Sequence, residues 1–336
     1  LAVQKLKRLN KFKQMNIPKK SLKFILTVLF TSFIVCSGCK HDIKEAQPIE
    51  KTKADKPLSF TTPLGKNYLI SEPSDKLRKL YNEAKRDYEV NSNDKDAIIW
   101  FGRRTAYLGL YDDAIAIYTM GIKKYPDEPR LYRHRGHRYI SIRRFDEAIA
   151  DFEKAGQLIQ GNENEIEPDG MPNAQNIPVS TLHGNIWYHL GLAYYLKHDY
   201  EKAFDAYLKC RQAGSLPDNI VSSTHWLYMI QRRLGNKNLA NTLLKPINMQ
   251  MDIIENQSYH DLCKLYKGLI PTDSLLQTDT ESPSNDAVSY GLASWYLYNN
   301  EKEKSAEIMN EIVGRSSWST FGYIAAESDL IQYFEK

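Results

Sequence analysis

Apolar and small residues recur along this chain with two superposed periods. In short windows they fall three and four positions apart, as Leu77, Leu80, Tyr81, Ala84 and Tyr88 do, which is the one-sided stripe of an amphipathic helix. Over longer stretches the stripe itself returns every 34 residues: Gly102 as Gly136, Tyr111 as Phe145, Ala114 as Ala148, Tyr118 as Phe152 and Gly121 as Ala155. A third copy runs through Trp187, Leu190, Gly191, Tyr194, Tyr200, Ala203, Tyr207 and Cys210. A weaker fourth shows Leu227, Gly235, Ala240 and Leu244, and a degenerate fifth lies around 290–313, with Ala306 its clearest landmark. Each copy reads as two helices, with small residues where the two approach and aromatics wedged between successive copies. One such unit cannot bury its apolar faces alone, so the pattern predicts an all-α array stabilised by stacking.

The W-x-x-L-G-x-x-Y run of the third copy, and the small and aromatic positions shared by the first two, resemble the tetratricopeptide repeat. The resemblance covers 95–156, 183–254 and part of 287–320. It implies a right-handed superhelical solenoid of helix-turn-helix repeats with an N-terminal capping helix, one long insertion and a concave groove that binds protein. The expected divisions are a signal peptide at 1–38, a flexible tether at 39–70 and a capping helix at 71–94. Repeats one and two follow at 95–156, an inserted loop at 157–182 and repeats three and four at 183–254. An extra helix and linker occupy 255–286, and the degenerate fifth repeat and a C-terminal helix occupy 287–336.

The N-terminal pattern is different in kind. Thirteen apolar and small residues from Phe24 to Cys36 stand behind Lys19, Lys20 and Lys23 and before Ser37 and Gly38. That run is shorter than the roughly 20 residues a membrane-spanning helix requires and has the layout of a secretory signal. It resembles a bacterial lipoprotein signal, which implies lipidation of Cys39, membrane attachment through that residue and a place in the cell envelope, at the outer membrane. Met15 is the expected start of translation, because it leaves an n-region of ordinary length. The polar, proline-bearing stretch that follows reads as a tether.

Charge sharpens the picture. The formal net charge is +4, but 1–38 holds eight Lys/Arg and no acid, which leaves 37 basic against 41 acidic residues in the remainder. A basic nucleic-acid binder is thereby disfavoured. No Walker loop, G-x-S-x-G, H-E-x-x-H or dinucleotide fingerprint is present, so no cofactor is implied and a non-catalytic protein is expected.

At ~100° per residue, the positions of each first helix that turn away from the stack face the concave side. They give the candidate ligand-binding residues Arg103, Tyr107, Arg130, Arg133, His137, Asn185, Tyr188, Tyr195, His225 and Arg232, cationic at one end and aromatic further along. Arginine forks suit carboxylates, and tyrosines supply rigid contact area. An acidic peptide or an envelope protein is the expected partner. Two alternatives stand beside this reading. One is a carbohydrate-binding lipoprotein using Tyr188, Tyr195, Trp226 and Trp295. The other is a metal-dependent hydrolase using Asp169, His189 and His225. Cys210 and Cys263 leave a disulfide open.

The insertion, Gln157–Thr181, carries Glu163, Glu165, Glu167, Asp169 and three prolines. Turn chemistry at Pro168-Asp169-Gly170 and apolar groups at Ile166, Met171, Ile177 and Val179 predict an ordered element. Its acids are expected to close over Arg130 and Arg133.

Overall fold

A computed structural model describes residues 59–275 and 283–334. The expected signal segment and Cys39 lie outside them. Among the described residues, no helix is long and apolar enough to cross a membrane.

Helix α1 (Asp75–Val90) is capped by Ser74, whose hydroxyl accepts from Leu77 N. The repeats follow as pairs: α2 (Lys95–Tyr107) with α3 (Tyr111–Lys124), α4 (Pro129–Ser141) with α5 (Phe145–Leu158), α6 (Leu182–Leu196) with α7 (Tyr200–Gln212), and α8 (Pro217–Arg233) with α9 (Lys237–Leu243). Asp94, Glu128, Thr181 and Asp199 cap α2, α4, α6 and α7 through side-chain oxygens, as expected where the first N–H groups of a helix lack internal partners. After α10 (Gln257–Tyr266) and a 3₁₀ turn (Thr272–Leu275) come α11 (Pro283–Leu297), α12 (Lys302–Val313) and α13 (Phe321–Tyr333). Successive helices pack on one another, except that α10 packs back on α8.

The repeated small residues explain the close pairing. A Cβ placed on Gly102 would lie 2.4 Å from the Tyr118 ring, and one on Gly191 would lie 2.6 Å from the Tyr207 ring. Within each pair an aromatic of the second helix therefore lies flat where the first helix has no side chain. Tyr118, Phe152 and Tyr207 are all fully buried there. The all-α solenoid of helix-turn-helix units predicted from the 34-residue period is the architecture observed.

Two features depart from expectation. Composition predicts that 59–70 belong to a flexible tether. Instead Ser59–Thr61 and Asn67–Leu69 pair as an antiparallel hairpin, with Phe60 opposite Tyr68 and Gly65 in the left-handed region. Phe60 stacks on Trp318, Tyr68 Oη donates to Val313 O and Lys66 Nζ reaches the same carbonyl, so the hairpin is anchored to the far end of the chain. Second, the solenoid leaves its concave side only partly open. α13 packs on α11 and α12 and returns to touch α6, more than a hundred residues earlier.

Cys210 and Cys263 are separate buried thiols. Cys210's is pushed up to about 12 by burial and Cys263's is raised for the same reason, so both serve as small apolar packing groups.

Candidate functional site

The ten residues expected on the concave face divide into two groups. Arg103, Tyr107, Arg133, His137, Asn185 and Tyr188 gather around the insertion. Tyr195, His225 and Arg232 are taken up by the C-terminal helices, and Arg130 pairs with Glu128 and Asp96.

The second group is corrected by the structure. Tyr195 is buried and accepts from Tyr290 Oη of α11 at 2.7 Å. His225 is buried between the rings of Tyr259 and Tyr266, with its pKa pushed down to about 3 by burial. Arg232 donates to Tyr298 O and Asn299 Oδ1, each at 2.9 Å. The face that should hold ligand in repeats three and four holds α10, α11 and α13 instead. Arg130 is gripped by Glu128 and Asp96, which raises its pKa through the hydrogen bond to Glu128 against the opposing effect of burial.

The first group is organised by the insertion, which is an ordered element. Its ends run back antiparallel: Glu167 N donates to Ser180 O at 3.0 Å, Leu182 N to Glu165 O at 2.9 Å, and Ile166 bridges Thr181. Asn173 Oδ1 accepts from Gln175 N and Ile177 N and so sets the tip as an Asx-type turn. The expected apolar anchoring is largely absent. Only Val179 is buried, while Ile166, Met171 and Ile177 are exposed. Polar contacts hold the segment down: Arg104 Nη1 donates to Gly170 O at 2.7 Å, and Asn185 Nδ2 donates to Glu167 Oε2 at 2.6 Å.

Glu167 is the centre of this arrangement. Its carboxylate lies 3.2 Å from Arg133 Nε and 3.0 Å from His134 Nε2, and its side chain is 4% exposed. Burial alone would raise its pKa, but the charge of Arg133 and the hydrogen bond to His134 outweigh burial and hold it well below the usual carboxylate range. His134 is driven down to about 3 by burial, with the Arg133 charge adding to the effect, and is therefore neutral. Arg133 Nη1 lies 2.9 Å from His134 Nδ1, so a neutral ring protonated at Nε2 accepts from arginine and faces the carboxylate with its N–H. One of the insertion's acids thus meets Arg133 as expected, whereas none reaches Arg130.

Beside this pair, His137 packs on His189 with ring centroids 4.5 Å apart, and Phe321 of α13 leans on both. His189 is pushed down to about 3 by burial and then by the Arg133 charge, and its Nδ1 bonds Asn185 O. Next to His189 opens a cleft of about 620 Å³ between the insertion, α6, α8 and the approach to α10. Asn185, Tyr188, Ser215, Asn219, Tyr259 and Phe321 contribute to its lining. Tyr188 Oη bonds Tyr259 Oη at 2.8 Å and accepts from Trp226 Nε1.

The residues named for the two alternatives do not assemble. Tyr195 and Trp226 are buried rings, Trp226 stacked on Tyr207, so they offer no exposed platform for a sugar. His225 sits in its tyrosine stack while His189 faces the cleft. Among the described residues no three His, Cys, Asp or Glu side chains converge to hold a metal ion.

Arg138, Tyr259 and Phe321 are neighbours of the site that the repeat reading missed. Arg138 stands 34 residues after Arg104, but its position lies between the buried and concave faces of the helical wheel. Tyr259 and Phe321 arrive from outside the regular repeats.

No family model matches the chain, and no curated protein matches it. Among solved structures it is similar to YrrB, described as a TPR protein with an unusual peptide-binding site, at 15% identity and a TM-score of 0.40 over 72% of this chain and 95% of that one. It is also similar to Naa15/Naa10 bound to HypK-THB, at 16% identity and a TM-score of 0.34 over 75% of this chain and 38% of that one. The fold assignment rests on the repeats and their packing.

Proposed function

We propose that the protein is a non-catalytic interaction scaffold of the cell envelope, lipid-anchored through Cys39 at the outer membrane, that holds an extended acidic segment of a partner polypeptide on its concave side. The observation that carries this reading is the cleft: it is the stretch of concave surface that the returning helices leave open. Asn219 Oδ1, buried in the cleft wall without a hydrogen-bond partner among the described residues, offers an acceptor to the N–H groups of an extended backbone. Ile166 and Leu216 stand exposed on its rim as contacts for apolar side chains. The charge preference rests on Arg133, which lies outside the cleft lining but close enough for its charge to act on His189 in the wall, and the anchor on the Ser37-Gly38-Cys39 sequence behind an apolar run too short to span.

A photo-crosslinking residue in place of Ser215, on the cleft, is expected to capture a discrete polypeptide in intact envelopes that the same residue in place of Glu303, on α12, does not. Equal capture at both positions, or none at Ser215, overturns the scaffold reading. Cys39→Ala is expected to shed the protein into the soluble fraction. If that variant still pellets after a high-salt wash, the anchoring half fails.

A further inference from the structure

A second hollow lies where the helix-to-helix turns of the second and third repeats meet α13, and it shares no residue with the cleft. It measures about 300 Å³, at the small end of ligand cavities. Leu196, Ile324 and Glu327 are buried within it, whereas Pro63 of the hairpin turn, Ile331 and Gln332 are exposed and mark its mouth. Arg143 and His198 both line it, and both hold left-handed backbone. Strain of that kind concentrates where a side chain has to be aimed.

The polar groups aimed there are matched, with one exception. Arg143 donates through Nε to Glu327 Oε2, through Nη1 to Ser141 O and through Nη2 to Trp318 O, at 2.8, 2.6 and 2.7 Å. Ser328 Oγ donates to Leu196 O at 2.7 Å, so the N–H of His198 Nε2 faces that hydroxyl and Nδ1 accepts from Tyr200 Oη. Glu327 Oε1 is the exception. It is buried, and no donor among the described residues reaches it. A carboxylate can only accept, and an interior oxygen left unmet is costly.

The surroundings define the missing donor. Phe145, Leu196, Ile324 and Ile331 offer apolar contact from three separate helices. The volume is about ten times the roughly 30 Å³ that one water molecule takes. The charge of Glu327 is already balanced by Arg143, whose side chain is 6% exposed. A cation would add a second positive charge beside that buried guanidinium, and an anion would meet the carboxylate. An uncharged donor avoids both.

We propose that this hollow binds a small uncharged molecule with an apolar, ring-sized body and one N–H or O–H group, which donates to Glu327 Oε1. The inference is independent of the scaffold reading, because the cleft contributes nothing to it.

The test is NMR of the full chain carrying ¹³C-labelled isoleucine methyl groups, titrated with three probes. Indole supplies a neutral donor, benzofuran the same shape without one, and benzylamine a charge. Indole is expected to shift the Ile324 and Ile331 methyl signals saturably, while that of Ile166 on the cleft rim stays still. Benzofuran is expected to bind about tenfold more weakly, the worth of one hydrogen bond to a charged group, and benzylamine no better than benzofuran. In Glu327→Gln the amide oxygen can stay on Arg143 and turn the NH₂ to the ligand, so the advantage of indole over benzofuran should vanish. Should that variant fail to fold, Ile331→Trp at the exposed mouth is expected to abolish the shift of Ile324 by indole, and Ile177→Trp on the insertion to leave it intact. The proposal is overturned if no probe shifts Ile324, if indole binds at Ile166 instead, or if benzofuran or benzylamine binds as well as indole. Survival of the indole preference in folded Glu327→Gln overturns it too. Capture at Ser215 is untouched by any of these results, so the two readings fail separately.

Discussion

All five repeats turn from first to second helix through one residue in the left-handed region; the degenerate fifth uses Asn300 at φ 69°, and the first four do so in two ways. The first and fourth use glycine, Gly109 at φ 80° and Gly235 at φ 77°. The second and third use Arg143 at φ 63° and His198 at φ 60°, side chains that this conformation disfavours by roughly 1–2 kcal/mol. The reason lies opposite them. Arg143 Nε donates to Glu327 at 2.8 Å and its Nη2 donates to Trp318 O at 2.7 Å. His198 reaches Ser328 Oγ at 3.1 Å and Tyr200 Oη at 2.9 Å, and that tyrosine bonds Tyr333. Where a turn faces α13, the chain accepts backbone strain to place a side chain that holds the helix. In the first and fourth repeats, glycine stands.

The comparison can be broken at each of the four positions. Arg143→Ala should have the largest effect. It keeps the strained backbone and strands Glu327, whose side chain is 2% exposed, so a loss of about 3–5 kcal/mol is expected in denaturant unfolding, with faster amide exchange across 321–333. Arg143→Gly loses the same pair but relaxes the turn, and should be about 1 kcal/mol less harmful than the alanine variant. If the two are equal, the turn stores no strain.

Gly109→Ala comes next, at about 2–3 kcal/mol. Besides the positive φ, its new Cβ would lie 2.5 Å from Ile70 Cγ2, so steric crowding adds to the backbone term. Gly235→Ala, with nothing within 4 Å of the added carbon, isolates that backbone term and should cost about 1 kcal/mol. Unfolding midpoints of the pair separate crowding from conformation.

His198→Gly should be smallest at neutral pH, since relief of strain offsets lost hydrogen bonds. Its signature is in the pH profile. Burial lowers the His198 pKa, with Asp329 opposing and Arg233 reinforcing, so the folded state favours the neutral ring more than the unfolded chain does. The stability this contributes is present above the free-histidine value of about 6.5 and is lost as pH falls below it. The glycine variant should therefore show a shallower fall of Tm on acidification, and an unchanged slope would mean His198 titrates alike in both states.

The helix pairs were legible in the sequence because they are local. Gly102 and Tyr118 are sixteen residues apart and recur one period later as Gly136 and Phe152. The concave face was half legible. Arg133 and His137 lie where the helical wheel puts them, and the acidic insertion closes on Arg133 through Glu167. Tyr195, His225 and Arg232 also sit on the face the wheel assigns, but what covers that face comes from α10, α11 and α13, and a 34-residue period says nothing about a helix that returns across it. The hairpin escaped for a related reason. Its strands are three residues long, and the contacts that fix Phe60 and Tyr68 lie at the opposite end of the chain.

Those contacts set the order of folding events. A stacked repeat array ordinarily closes only short loops, since each unit meets its immediate neighbours, and such chains fold fast and fray from their ends. Here Lys66 and Tyr68 bond Val313 across separations of 247 and 245 residues, and Tyr68 meets Tyr323 across 255. Closing so long a loop must wait until the intervening helices have shortened it. The seam between hairpin and α12–α13 is therefore expected to form last in refolding and to part first in unfolding, as a slow step that follows an early gain of helix.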